Sequence, residues 1–214
     1  MTSTVEGDLV TLIMPEADMH SLRRAAELAE EATGLRAEII RGVLMMSPTP
    51  RLKHARVINV INRQLVPALP AELETFQVAS LALPRDPEDY ATPDLLVADS
   101  AVGESDDWLV EAGSSELAVE VVSVSNSTKD TREMVSWYAE ADVPAYLVID
   151  PRQGNWTLHT APRAGAYQGT LHGVYGDKIS LERLGVTLET EGLPRYGEPG
   201  EAGQRERRGG RQGG

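Results

Sequence analysis

Apolar residues recur with two periods along this chain, and each change of period marks a predicted element. Leu22, Ala25, Ala26, Ala29 and Ala32 fall on one helical face. They predict a first helix over residues 21–33, closed by Gly34. Residues 37–47, AEIIRGVLMMS, predict two short strands folded into a hairpin at Arg41-Gly42. Ser47-Pro48-Thr49-Pro50 then breaks the chain. Thr49 suits a helix cap and Pro50 the first helical position. The second helix is predicted to run through Val66, with Val57, Ile61 and Leu65 on its apolar face, and Pro67 and Pro70 close it.

Beyond residue 70 the pattern is mostly that of strands. They are predicted over residues 75–83, 93–99 (PDLLVAD) and 116–123 (ELAVEVVS). Residues 131–141 return to helical spacing, with Met134, Trp137, Tyr138 and Ala141 at i, i+3, i+4 and i+7. Strands follow over 145–150, ended by Pro151, and over 156–160 and 177–181. This order predicts an α/β domain with a mixed central sheet flanked by helices and extra strands at its C-terminal end. The domain is expected to occupy residues 1–196. Residues 197–214, GEPGEAGQRERRGGRQGG, lack any large apolar side chain and read as a disordered Gly/Arg/Glu tail, or as a weak electrostatic arm for nucleic acid.

Composition narrows the chemistry. There is no cysteine, which removes disulfides, cysteine nucleophiles, iron–sulfur clusters and cysteine-based zinc sites. No apolar run reaches the length of a membrane span and no basic-then-apolar leader opens the chain, so the expected location is cytoplasmic and away from membranes. The 33 acidic residues outnumber the 20 basic ones, for a net charge of -13. Phosphate-binding proteins usually present a basic surface, so any nucleic-acid partner must meet a local exception to this charge.

Three carboxylates stand in apolar contexts. Asp94 follows Pro93 at the head of an apolar strand, and Glu120 sits inside ELAVEVV. Strand alternation places Glu120 on the face of Ala118 and Val122. Glu38 precedes Ile39-Ile40. A carboxylate in such a place must be paired, protonated or bound to metal. Neighbouring strands would bring Asp94 and Glu120 together as oxygen ligands for Mg²⁺ or Mn²⁺. Simpler roles stand beside this one: Asp94 as a cap at the start of its strand, Glu120 paired with an arginine on an edge strand, Glu38 facing solvent.

The segments AEIIRGVLMMSPTPRLKHARV, TPDLLVAD, LAVEVVSVSN and KDTREMVSWYAEADVPAYLVIDP resemble, in order and spacing, the Uma-two family of restriction-endonuclease-like proteins, within the PD-(D/E)XK nuclease superfamily. The resemblance spans roughly residues 35–160. It implies a restriction-endonuclease-like core and a divalent metal, Mg²⁺ or Mn²⁺, held by Asp94 and Glu120. Glu38 matches the family's acid before the hairpin, and His54 a histidine after the Ser-Pro break. The superfamily's simplest pattern has a lysine two residues after the second acid, where this chain has Val122. In the family the lysine lies on the next helix, between positions matching Asp130 and Tyr138, where this chain has Met134. Only Lys53, Lys129 and Lys178 occur in the chain, and Lys129, at the start of that helix, is the expected stand-in, with Arg132 as a second cation that can turn inward.

The remaining candidates are weaker. His20, His54, His159 and His172 show no metal-ligand spacing, and no P-loop, GxSxG or GxGxxG pattern occurs. Ser123, Ser125, Ser127 and Thr128 suit a helix cap or a phosphate contact. Trp137 and Tyr138 read as core residues or base-stacking platforms. The expected function is metal-dependent hydrolysis of DNA, slowed by Met134, with DNA and a homodimer as partners. A non-catalytic module of the same fold and a hydrolase of small phosphoesters are the rivals.

Overall fold

The computed structural model describes residues 3–6, 9–12, 21–123 and 128–197. In chain order the elements are β1 (Ser3–Glu6), β2 (Leu9–Leu12), α1 (Leu22–Thr33), β3 (Arg36–Ile40), β4 (Val43–Ser47), α2 (Leu52–Leu65), β5 (Leu73–Phe76), β6 (Ser80–Leu83), β7 (Asp86–Ala91), β8 (Leu95–Asp99), β9 (Leu109–Glu111), β10 (Ser115–Val121), α3 (Thr128–Glu140), β11 (Ala145–Asp150), β12 (Asn155–Arg163), β13 (Ala166–Val174), β14 (Ile179–Leu181) and β15 (Val186–Leu188). A mixed six-stranded sheet runs β13-β12-β11-β10-β8-β5, in which only β10 and β11 are parallel. A second sheet runs β4-β3-β7-β6-β9, and β1–β2 and β14–β15 form separate pairs.

The inner strands β8, β10 and β11 are buried on both faces, which is why they read as near-continuous apolar runs. Leu95, Val97, Leu117, Val119, Leu147 and Ile149 turn to one face, against Val57, Ile61 and Leu65 of α2 and the β14–β15 pair. Leu96, Ala98, Ala118, Val122, Tyr146 and Val148 turn to the other, against Trp137 and Tyr138 of α3 and residues of the second sheet. Ala26 and Ala29 of α1 close a third cluster with Ile39, Met46 and Tyr90.

The first helix and the hairpin match the sequence pattern. Ser21 caps α1 by accepting from the Arg24 N–H, and Gly34 ends it in the left-handed conformation. Arg41 and Gly42 both have positive φ (53° and 72°), as a two-residue hairpin turn with the strand twist requires. Other elements differ. The helix expected to start at Pro50 starts at Leu52, with Arg51 in the cap position in extended conformation and no side-chain cap, while Pro48, Thr49 and Pro50 line a cleft. The single strand expected over 75–83 is two: after Phe76 the chain turns at Gln77 and Val78 and leaves the six-stranded sheet for the five-stranded one. The third helix starts at Thr128, three residues earlier than its apolar spacing indicates. The segment expected to be a disordered tail lies, from residue 198 onward, outside the described residues.

Strand β7 has a turn-like sequence, DPEDYA, and folds because its polar groups find partners. Asp89, 3% exposed, accepts from Trp137 Nε1 at 2.6 Å and from the Gly42 N–H at 3.0 Å. It thereby ties the β3–β4 turn to α3. Burial raises its pKa despite these donors, so a neutral acceptor substitutes well. Asp89→Ala leaves the indole N–H unsatisfied, at about 1–3 kcal/mol. Scanning calorimetry should show a drop of several degrees for Asp89→Ala and a clearly smaller one for Asp89→Asn. Equal drops would contradict the role of this acceptor.

Candidate active site

Asp94 and Glu120 meet because β8 and β10 are antiparallel neighbours. Val119 pairs with Leu95, so the next register position sets Glu120 across from Asp94. Asp94 stands just before β8 and accepts the Val121 N–H at 2.8 Å through Oδ2. Its side chain is thus fixed across the strand pair, and it does not serve as a local cap. Glu120 is on a central strand, between β8 and β11, and not on an edge. It turns to the face of Ala118 and Val122, as alternation requires, and accepts from Tyr138 Oη of α3 at 2.9 Å.

Glu38 arrives from the other sheet. It is buried rather than facing solvent, and its Oε1 accepts the Thr92 N–H at 2.8 Å. Thr92 lies in the short connection between β7 and β8 that ends at Asp94. Glu38 therefore holds the segment that delivers Asp94 to the cluster. Like charge gathers here. Burial, then Asp94 and Glu38, hold the Glu120 carboxyl well above the usual carboxylate range. Burial also raises Glu38, with Asp94 adding to the effect and Arg36 and the Thr92 N–H opposing it.

Two further residues belong to this cluster. Arg36 lies two residues before Glu38 on β3, so both side chains leave the same face of the strand. Burial disfavours its charge, but Glu38, Glu120 and Asp94 outweigh that cost and raise its pKa, so the guanidinium stays protonated. The alternation signal for Arg36 was present in the sequence. His54, on the buried face of α2, places Nε2 3.0 Å from Asp94 Oδ1, without the alignment of a hydrogen bond. Its Nδ1 is 3.4 Å from Tyr196 Oη. A cleft of about 280 Å³ opens beside these groups and is lined by Arg36, Pro48–Pro50, Asn59, Val78 and Asp94 among others.

The cations expected on α3 are placed differently. Met134 is partly buried against the same core cluster as Tyr138, and Val122 is buried there. Arg132 is exposed and does not turn inward. The Lys129 and Thr128 side chains, and all of Ser125 and Ser127, lie outside the described residues. Trp137 and Tyr138 are fully buried, so neither offers a ring face to a base.

Among the described residues no three His, Asp or Glu side chains stand together in coordinating geometry. The donor chemistry nevertheless suits a hard cation. Mg²⁺ needs only one or two protein carboxylates, water completing its shell. Glu120 Oε1 and Glu38 Oε1 are taken by donors, while the second oxygen of each accepts no hydrogen bond from the described residues. Three carboxyls share the single guanidinium of Arg36, so a bound cation would relieve their mutual repulsion.

Comparison with known proteins agrees with this fold. The model of the Uma2 (Uma-two) family, described as "Putative restriction endonuclease", matches residues 21–191. Among curated proteins none matches. The crystal structure of "a putative nuclease belonging to DUF820" from Anabaena variabilis superposes with a TM-score of 0.57 at 16% identity, covering 72% of this chain and 85% of that one. Its likeness shows the fold, mixed sheets flanked by helices. With the family match reaching from α1 past β15, the chain belongs to the Uma2 family of putative restriction endonucleases.

Proposed function

We propose that the chain hydrolyses phosphodiester bonds of DNA with a divalent cation, Mg²⁺ or Mn²⁺, at the Asp94–Glu120 pair. The observation that carries this reading is the convergence of Asp94 with Glu120 and Glu38, with Asp94 itself lining an open cleft. Asp94 and Glu120 would hold the cation, with Glu38 completing or orienting its surroundings. When bound, such an ion activates water and offsets charge on the phosphodiester. The backbone N–H of Val121 and the phenol of Tyr138 fix the two carboxylates in orientation. Arg36 supplies a permanent positive charge on the cleft wall, with Lys129 as the second cation expected near α3. The homodimer implied by the family resemblance would present two such sites.

Turnover should be slow, because Met134 occupies the position of the family's lysine. Loss of one charged stabilising group costs roughly 10²–10³-fold in rate. The packing of Met134 and Val122 into the core favours one rival, a non-catalytic module of the same fold. Plasmid and single-stranded DNA, incubated at low salt with Mg²⁺ and then Mn²⁺, separate the two. Metal-dependent cutting that disappears in Asp94→Ala and in Glu120→Ala is expected, with faster cutting by Met134→Lys. No cutting by wild type or by Met134→Lys would leave the non-catalytic module.

A further inference from the structure

Charge is unevenly spread over this acidic chain. Between Glu38 and Glu72 there is no Asp or Glu, while Arg41, Arg51, Lys53, Arg56 and Arg63 all fall there. Arg41 turns to α3 and pairs with Glu140 at 2.7 Å, and Lys53 donates to the Arg195 carbonyl at 2.8 Å. Arg56 and Arg63 lie on α2, where Leu52, Arg56, Asn59 and Arg63 form one exposed stripe at i, i+4, i+7 and i+11. The opposite face carries His54, Val57, Ile61 and Leu65 into the interior. Asn59, with Ala55 and Ile58, also lines the cleft that reaches Asp94 and Arg36. The stripe and the cleft are therefore continuous.

What sets this stripe apart is its place beside the cleft, on a helix with no acidic residue to pair with its arginines. Arg24, Arg41, Arg152, Lys178 and Arg183 are each in an ion pair with a carboxylate. Among the described residues, neither Arg56 nor Arg63 is. They are two helical turns apart, about 10 Å along the axis, close to the axial rise of three phosphates along one DNA strand. We infer that the exposed face of α2, through Arg56, Asn59 and Arg63, is the track that grips the DNA phosphate backbone and leads it into the Asp94 cleft. This rests on the reading of DNA as substrate, and it explains how a chain of net charge -13 meets a polyanion: through a helix that itself carries no acidic residue.

The test is DNA binding without cutting. A labelled duplex is titrated with protein in EDTA across a salt series, followed by fluorescence anisotropy. Each lost phosphate contact lowers the slope of log K against log salt by about 0.9, so Arg56→Ala with Arg63→Ala should flatten it by about 1.8. Binding at low salt should weaken by at least about 10-fold. The Arg56→Lys/Arg63→Lys protein should keep the wild-type slope, which rules out a folding defect at these positions. Arg85→Ala with Arg163→Ala, the same charge loss from the exposed β6–β7 turn and the exposed end of β12, should keep it too. An unchanged slope in the α2 variant, an equal fall in the Arg85/Arg163 variant, or no DNA binding by wild type overturns the track. A track that behaves as expected in a protein that never cuts DNA would leave the binding face standing and remove hydrolysis.

Discussion

Glu120→Gln raises the melting temperature of the metal-free protein at neutral pH, and the gain vanishes in acid. The folded state holds the Glu120 proton to higher pH than the unfolded chain does, first because of burial and then because of Asp94 and Glu38. A folded pKa above the unfolded value of about 4.3 means stability is lost as pH rises through the interval between the two. Gln carries no charge to desolvate, and its carbonyl still accepts from Tyr138 Oη. The variant and wild type should therefore melt together near pH 4 and diverge as pH rises. Each kcal/mol of relief is worth roughly 2–4 °C in a chain of this size. Melts from pH 4 to 8 in EDTA measure the divergence. A Gln variant less stable than wild type at neutral pH would mean that Glu120 is already fully compensated in the fold.

Arg36→Met acts in the opposite direction and more strongly. Arg36 opposes the raised pKa of both Glu38 and Glu120. Removing one partner of a buried charge group costs about 3–5 kcal/mol. Arg36 is only partly buried, and about 2–4 kcal/mol is the fitting expectation, a fall of the order of 10 °C near pH 8. Without the guanidinium the carboxyls take up protons more readily, so the deficit should shrink as pH falls toward 5. Arg36→Met combined with Glu120→Gln should be more stable than the two single effects predict by addition, because the lost partner no longer faces that charge. A pH-independent deficit, or strict additivity, would assign Arg36 to packing alone.

Much of this architecture is written in the local sequence. The helix closed by Gly34, the Arg41-Gly42 turn and the strands around Leu96, Val119 and Leu147 follow from period and turn chemistry. Their alternation also places Glu120 on the α3 side of the sheet. What local pattern cannot carry is pairing over long distance. Residues 86–91 look like a turn until Trp137, 48 residues from Asp89, and Gly42 supply donors for that carboxylate. The division of residues 73–83 between two sheets depends on which strands arrive beside them. His54 is separated from Asp94 by most of a helix and three strands, so its contact has no local signature. Arg36 is different: its spacing from Glu38 already put it on the right face, and only the identity of its neighbours was missing.

Calorimetric titration with Mn²⁺ addresses the carboxylate pair most directly, because it reads cation binding without requiring turnover. Wild type should bind one cation per chain, and the Asp94→Asn/Glu120→Gln protein should lose that heat or bind at least about 100-fold more weakly. The double variant keeps the shape of both side chains, so its fold should survive. Absence of binding in wild type, or equal binding in the double variant, would contradict the assignment of a divalent cation to Asp94 and Glu120.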